Sequence, residues 1–345
     1  MEILLSKNPI IKSLHRQCIG DKIINYLEEA THINIATGFI SNESIVELKR
    51  LVEYRNQTLK LSLFIGMNYI DGFTRLQYEA VQDLHSFLQA NNTGNVFVSP
   101  YALYHGKMYS FMESANCLGA FVGSSNLGSF IGTTSNYIEA DVFFEKAEGI
   151  QINNEIIQLT NTLGKRITDT EEITSFKAPE QALLDGFNHV EKLSNESLID
   201  YLGKTTGIQV SIPLKTEPKS NLNTYFGAGK VKNRFSRRDY YEVELIIGKK
   251  TPNLNLLPSK DDGPFWVVTT DGYKFECSRQ GDYGKNFRSQ SDLKILGKWI
   301  KGQMENTGAL KLGEPVTEDV LDKFGKHFWV LKQTQEKNVW ILELR

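Results

Sequence analysis

Residues 103–128 read LYHGKMYSFMESANCLGAFVGSSNLG. Two β-rich runs, YHGKMYSF and CLGAFVGS, flank a short polar turn, and the second run ends in Gly123-Ser124-Ser125-Asn126. Side chains alternate along an extended chain, so His105 and Lys107 share one face and Gly106 takes the other. An imidazole can act as nucleophile or as general acid and base near neutral pH. A Lys beside it supplies a point charge for a phosphate oxygen. The small residues at 123–125 let backbone and hydroxyl donors, those of Ser124 and Ser125 included, approach an anion closely. Asn126 adds an amide donor as the chain leaves the turn. One turn further on, YIEADVFF sets Glu139 and Asp141 on one strand face, with Ile138, Ala140, Val142 and Phe144 on the other. A carboxylate near His105 would orient the ring; Glu139 is read in that role and Asp141 as a solvated or supporting carboxylate.

His, Lys, Asn and Glu around an anion suit phosphodiester cleavage without a metal. One His attacks phosphorus and a second protonates the leaving oxygen, while Lys and Asn neutralise the developing charge. A buried donor of this kind lowers a barrier by about 3–4 kcal/mol. The sequence contains a single His-x-Lys of this type, yet the chemistry needs two histidines. Two identical chains related by a two-fold axis would bring both copies of His105 to one composite site, so a homodimer through the first domain is expected.

On either side of this stretch the chain alternates between strand and helix. HINIATGFI (32–40), LKLSLFIGM (59–67) and NVFVS (95–99) read as strands. Between them, SNESIVELKRLVEYR (41–55) opens on a Ser/Asn cap, and FTRLQYEAVQDLHSFLQANN (73–92) has helical spacing and an Asn-rich stop. Beyond YIEADVFFE, IQINNEIIQLTNTLGKRI (150–167) reads as a helix. Strand–helix alternation followed by consecutive strands predicts an α/β sandwich, a mixed sheet flanked by helices.

Residues 165–195 are polar and read as a helical connector. The style then changes to short β-branched and aromatic runs: GIQVSIPL, DYYEVELIIG, PFWVVTTDGYKFECSR and HFWVLKQTQEKNVWILEL. Asp271-Gly272 signals a hairpin, and SDLKILGKWIKGQMEN (291–306) is an amphipathic helix. Many short strands with one helix predict a small β-barrel. The expected organisation is a first domain over 1–165, a connector over 166–195 and a second domain over 196–345.

Length supports two domains: 345 residues exceed one ordinary core. Apolar residues make up 40% and charged residues 23%, as in globular proteins. No run of about 18 apolar residues is present, so no membrane span is expected. The start, MEILLSKNPIIKSLHRQC, lacks a basic n-region followed by a long apolar run, so it does not read as a signal peptide. Cys18, Cys117 and Cys277 are few and scattered; they read as neither a disulfide framework nor a zinc site, and a reducing, cytoplasmic setting is expected.

The net charge of −2 hides an asymmetry. Residues 1–190 hold 14 Lys and Arg against 21 Asp and Glu, whereas residues 191–345 hold 25 against 20. Two Gly-flanked segments concentrate the basic charge. One carries Lys230, Lys232, Asn233, Arg234, Arg237 and Arg238; the other carries Arg279, Gln280, Lys285, Asn286 and Arg288. Arg, Asn and Gln can pair bidentately with base edges, and Lys and Arg can hold phosphates, so both segments read as DNA-binding arms.

His105-x-Lys107, then Gly123-Ser124-x-Asn126, then Glu139 resembles the signature of the phospholipase D superfamily. The resemblance implies a phosphohistidine intermediate and no metal or other cofactor. Its usual form continues to an Asp where this chain has Met112, which counts against a lipid phospholipase; Glu139 would supply the carboxylate, as in the nuclease branches. The second half is similar to the B3-type DNA-binding pseudobarrel, whose two arms clasp the duplex in the major groove. The two domains together resemble the phospholipase D-type restriction endonucleases of the BfiI and NgoFVII kind, over essentially the whole chain. That implies a site-specific double-stranded DNA endonuclease of a restriction-modification system. In some members a separate ATP-dependent helicase or translocase takes part. This chain has no Gly-x4-Gly-Lys-Ser/Thr loop, so such an ATPase would be another polypeptide.

Other readings remain open at this level. One is a phosphodiesterase of the same superfamily acting non-specifically or on lipids or nucleotides. Another is a DNA-binding regulator with an inert first domain. A third is a metal nuclease on Asp271 with Asp292-Leu293-Lys294, although Asp292 reads better as a helix start.

Overall fold

Along HINIATGFI the apolar residues alternate, with Ile33 and Ile35 on one face of a strand and Ala36 on the other, and all three are buried. This strand sits in the middle of the first of two units, Met1–Glu180 and Gln181–Arg345. The computed structural model describes residues 1–6, 19–55, 58–130, 138–177, 183–184, 187–217, 221–227 and 239–345.

The first unit runs β1 (Glu2–Leu5), α1 (Ile19–Glu29), β2 (His32–Thr37), α2 (Asn42–Tyr54), β3 (Lys60–Ile65), α3 (Asn68–Asp71), α4 (Arg75–Ala90) and β4 (Gly94–Val98). It continues through β5 (Lys107–Glu113), β6 (Asn116–Gly123), α5 (Leu127–Phe130), β7 (Ala140–Phe144), α6 (Lys146–Leu163) and β8 (Lys165–Arg166). Its sheet has the order β1-β7-β6-β5-β2-β3-β4-β8. The pairs β2–β3 and β3–β4 are parallel, and the others are antiparallel. This is the expected mixed sheet flanked by helices.

Local signals hold the helices in place. Ser41 and Ser44 form a reciprocal cap at the start of α2, and Thr74 and Gln77 form another at α4. Such caps are worth about 1 kcal/mol each. Gln77 Nε2 also donates to the carbonyl of Ile40, tying α4 to the loop that follows β2. On one sheet face, Ile152, Ile156, Leu159 and Leu163 of α6 pack with Ala36, Phe64, Phe97, Tyr104 and Met108. Their three- and four-residue spacing is what a helix needs to bury one stripe. On the other face Tyr26 of α1 stacks on Phe143 and leans on Phe111.

Register brings four chain segments to one end of the sheet. Thr37, the last residue of β2, pairs with Lys107, the first of β5. Gly123, the last of β6, pairs with Asp141 near the start of β7. Met112 lies at the opposite end of β5, paired with His32. It is buried against Cys117, Ala120 and Ile152. Five residues of strand separate it from Lys107, about 17 Å. An Asp at that position would not reach His105, so Met112 leaves the site's own chemistry untouched.

The second unit contains β9 (Val190–Lys192), α7 (Asn195–Gly203), β10 (Thr205–Pro213), α8 (Thr224–Gly227), β11 (Leu245–Ile246), β12 (Phe265–Thr269) and β13 (Tyr273–Gln280). It ends with β14 (Asn286–Ser289), α9 (Lys294–Asn306), α10 (Glu318–Phe324), β15 (Phe328–Thr334) and β16 (Val339–Leu344). The strand order is β10-β15-β16-β12-β13-β14-β11, with β9 beside β13 and a single parallel pair, β12–β16. Phe265, Phe275, Phe287, Trp299, Trp329 and Trp340 share its core. The Asp-Gly signal is the turn between β12 and β13: Gly272, at φ 88°, donates its N–H to the Thr269 carbonyl at 3.0 Å. No helix is long and apolar enough to cross a membrane among the described residues.

Two expectations of secondary structure fail away from the end of the sheet where His105 lies. The stretch 165–195 was expected to be helical, but its described residues hold β8, a 3₁₀ turn at Ile167–Asp169 and β9, with no α-helix before Asn195. The chain divides between the two units inside that stretch. DYYEVELIIG reads as a strand, yet only Leu245–Ile246 forms one, with an isolated bridge from Glu244 to Asn221 beside it. Tyr240 and Tyr241 instead turn and pack edge-to-face in an aromatic cluster with Tyr225 and Phe226. Burial of large rings there outweighs their strand propensity.

Candidate active site

β5 begins at Lys107, so His105 and Gly106 precede the strand instead of lying within it. The close relation of His105 and Lys107 survives. Lys107 is only 5% exposed, and its Nζ lies 3.2 Å from each ring nitrogen of the exposed His105 and donates to the His105 carbonyl at 2.7 Å. Burial pushes the Lys107 ammonium down from its ordinary pKa, and the charges of Glu139 and Asp141 oppose that fall.

Glycines let the chain cross the sheet end this closely. A Cβ on Gly66 would lie 2.3 Å from the Tyr104 carbonyl oxygen, and one on Gly106 would lie 2.3 Å from the Tyr104 hydroxyl. A Cβ on Gly38 would meet His105 Cα at 3.2 Å. The Tyr104 ring is thus clasped between Gly66 and Gly106, and burial pushes its hydroxyl up to about 12.

Phe39 joins two of the sequence-predicted residues. Its ring meets the His105 ring edge-on at 5.6 Å, and its N–H donates to Asn126 Oδ1 at 3.3 Å. With Oδ1 so engaged, Asn126 keeps its Nδ2 group as a donor.

The two serines are engaged by carboxylates of the protein itself. Ser124 Oγ donates to Glu139 Oε2 at 2.5 Å, and Ser125 Oγ donates to Asp141 Oδ2 at 2.5 Å. Their N–H groups go to the Ala140 carbonyl and to Asp141 Oδ1. Both hydroxyls, expected from sequence to support phosphate binding, therefore hold carboxylates here. Among the described residues Glu139 makes no hydrogen bond to His105; its link to the site runs through Ser124 and through its charge on Lys107. Asp141, read from sequence as solvated or supporting, is buried. Burial pushes its carboxyl up, and the Ser125 hydrogen bonds pull it back. Tyr109 completes the support by donating its hydroxyl to the Ser125 carbonyl at 2.7 Å.

Sequence reasoning missed Phe39, Tyr104, Tyr109 and the glycine cradle. A usable signal existed in Thr37-Gly38 and Ile65-Gly66, glycines set directly after two adjacent parallel strands. Phe39 carried no signal, because its backbone N–H and its ring reach Asn126 and His105 only through the fold.

In the second unit the arm bearing Lys230, Lys232, Asn233, Arg234, Arg237 and Arg238 lies outside the described residues. The other arm is the β13–β14 hairpin. Gln280 pairs across with Asn286, and Ser278 with Arg288, which sets these side chains on the face away from buried Phe287. Arg288 also reaches Glu244 at 3.5 Å, and Lys285 reaches Asp282 at 3.5 Å. Arg279 sits with Phe287 on the inner face and is buried. Its guanidinium donates to the carbonyls of Gly284, Leu257, Pro258 and Tyr283 at 2.9–3.4 Å. It is therefore not presented to a base, contrary to the sequence reading. The residues of the metal-nuclease alternative are engaged too: Asp271 accepts from Trp299 Nε1 at 2.9 Å, and Asp292 caps the backbone of Lys294. No group of three or more His, Cys, Asp or Glu is placed to hold a metal among the described residues.

Two family models match the chain. That of the NgoFVII restriction endonuclease N-terminal phospholipase D domain covers residues 15–172, and that of the NgoFVII C-terminal B3-like DNA-binding domain covers residues 200–335. No curated protein sequence matches significantly. One similar solved structure is Nuc, a phospholipase D family member from Salmonella typhimurium, at 12% identity, 48% of this chain, 95% of that chain and a TM-score of 0.31. Another is TrmBL2, an archaeal chromatin protein, at 14% identity, 47% of this chain, 53% of that one and a TM-score of 0.28.

Fold, site and matches together define a phosphodiesterase of the phospholipase D superfamily joined to a DNA-binding domain. More specifically, the chain belongs to the NgoFVII restriction endonuclease family, and it is a DNA endonuclease.

Proposed function

We propose that the chain is a site-specific, metal-independent restriction endonuclease that works through a phosphohistidine at a composite dimer site. The observation that carries this is the contact of Lys107 Nζ with the His105 ring, beside an Asn126 amide fixed by Phe39. A deprotonated ring nitrogen of His105 attacks phosphorus, a P–N bond forms and the P–O bond to the leaving nucleoside oxygen breaks. His105 of a second copy donates the proton that this oxygen takes up. The same second imidazole then takes a proton from water, which attacks the phosphohistidine and frees the ring. Lys107 and the Asn126 Nδ2 group stabilise the charge on the non-bridging oxygens. Glu139 and Asp141, held by Ser124 and Ser125, keep negative charge beside Lys107 and so favour its ammonium form.

The homodimer forms through the first domain, because one chain supplies one such histidine. The domains are assigned as nuclease over 1–165, connector over 166–195 and DNA-reading domain over 196–345. DNA is read by the second domain through outward residues such as Gln280, Asn286 and Arg288, with Arg279 supporting from beneath. An ATP-dependent helicase or translocase, where one takes part, is a separate subunit.

The test is cleavage of a plasmid panel by the purified protein in excess EDTA, beside His105→Ala. Discrete fragments from wild type alone support the proposal. Cleavage that requires an added metal, or that persists in His105→Ala, overturns it. Tight, specific binding with no cleavage would direct the next assay to an ATP-driven partner.

A further inference from the structure

The hairpin that holds Arg279 ends in a turn with an unusual residue at its tip. Tyr283 is 55% exposed and adopts φ 48° and ψ 25°, a left-handed conformation that Gly or Asn takes far more readily. Glycines at positive φ stand close on either side of it, at 281 and 284. Nothing about solubility or core packing asks for a large ring at such a point.

Its backbone is nevertheless firmly fixed. Gly284 N–H returns to the Gly281 carbonyl, and Lys285 N–H to that of Asp282. From beneath, the buried guanidinium of Arg279 gathers the carbonyls of Gly284 and Tyr283 together with those of Leu257 and Pro258. One cation thereby clamps this turn to a neighbouring loop. A strained residue held by over-determined surroundings points to a functional position.

The ring's neighbours are cations. Lys249 Nζ lies 4.2 Å from its centroid and Lys285 Nζ 5.8 Å. Asp282, on the same tip, is exposed and pairs with Lys285. Lys249 therefore has the freer charge toward an anion. An apolar ring with a phenolic hydroxyl, set forward between lysines, fits a groove whose walls are phosphate and whose floor is base edges.

We propose that Tyr283 is a specificity-determining base contact, presented by the Arg279 clamp, with Lys249 and Lys285 on the flanking phosphates. This rests on the reading of the second domain as the part that recognises a DNA sequence. It differs from the expectation that Arg279 itself reads a base.

The test is selection of binding sites from a randomised duplex library by the full-length protein, its Tyr283→Ala, Tyr283→Gly and Lys249→Ala variants. The Tyr283 variants are expected to select the wild-type motif with one or two adjacent base pairs made degenerate. Their affinity for the wild-type motif falls about tenfold or more, while non-specific affinity and salt dependence stay the same. Tyr283→Gly suits the left-handed backbone, so its melting temperature should not fall, which separates lost contact from lost fold. Lys249→Ala should weaken all sequences alike and reduce the salt slope by about one. An unchanged motif and unchanged affinity in both Tyr283 variants would overturn the proposal. A wild-type protein that selects no motif would fail at an earlier point, removing the recognition reading and this proposal with it.

Discussion

Lys107 in the first domain and Arg279 in the second are both cations that fold into the protein almost completely, and they do opposite things. Lys107 lies with its amine against the ring of an exposed histidine, so its charge is available where an anion would meet that ring. Arg279 turns four carbonyls of its own domain toward itself and has its donors engaged there. In the sequence each was a basic residue in a Gly-rich, polar setting. What separates them is the face of the strand. Lys107 sits at the sheet end where four segments converge, whereas Arg279 pairs across from Phe287 and shares its inward direction. The difference lies in where each cation's donors end: those of Lys107 beside an exposed ring, those of Arg279 on carbonyls of its own domain.

The sharpest way to break this comparison is to remove the histidine that Lys107 serves. On the proposed mechanism His105→Ala should lower the cleavage rate by about 10⁴-fold or more, because no other group would form the covalent intermediate. DNA binding should remain at wild-type level in a gel-shift assay. Lys107→Met should lower the single-turnover rate by about 10²–10³-fold, the scale expected for one buried donor to a developing oxyanion. If Arg279→Met lowered that same rate as much, with binding unchanged, the contrast between the two cations would be wrong.

Gly106→Ala probes how tightly the geometry is held. The added Cβ would meet the Tyr104 hydroxyl at 2.3 Å and its ring carbon at 2.5 Å, so either Tyr104 or the His105 backbone must shift. A displacement near 1 Å costs about 10²-fold in rate. The expected signature is a fall in kcat with KM for DNA unchanged. A variant as active as wild type would mean that the clasp on Tyr104 does not position His105.

These expectations show which parts of the molecule the sequence could express. The candidate residues His105, Lys107, Asn126 and Glu139 were legible because their types and spacing suit the proposed chemistry, and the strand–helix alternation around them is written in apolar periodicity. The supporting groups were not. Phe39 acts through its backbone N–H, Tyr104 through the absence of side chains at Gly66 and Gly106, and Ser124 and Ser125 through partners 15 and 16 residues away that only the β6–β7 register brings near. In the second domain α7 and α10 had signals that went unread, since Ser194 and Thr317 cap them and Gly325 ends α10 at φ 71°. β1 had no local signal: its four residues form a strand only by pairing with β7, far along the chain.

A third buried cation, Lys301, sharpens the comparison further. It is completely enclosed, donates to the Tyr240 carbonyl at 2.5 Å and lies over the Tyr240 ring. Burial pushes its amine down to about 7, against the opposing charges of Glu305 and Asp239. In the unfolded chain it returns to its ordinary value near 10.5. Below pH 7 the amine is protonated in both states and adds no pH dependence. Between pH 7 and 10.5 the unfolded chain binds a proton that the folded domain does not, so stability rises with pH through that window and is lost as pH falls through 7. The expected gain is about 2 kcal/mol between pH 7 and 9. Lys301→Met removes that slope, and it also leaves the Tyr240 carbonyl without its donor, at about 1–3 kcal/mol. The two stability curves should therefore converge or cross on acidification, with wild type ahead at pH 9. All four tryptophans, Trp266, Trp299, Trp329 and Trp340, lie in the second unit, so fluorescence-detected unfolding reads this domain alone. Parallel profiles for wild type and Lys301→Met would show that Lys301 keeps its proton in the fold. It would then be a clamp like Arg279, charged at all working pH, instead of a neutral amine that happens to be basic in the sequence.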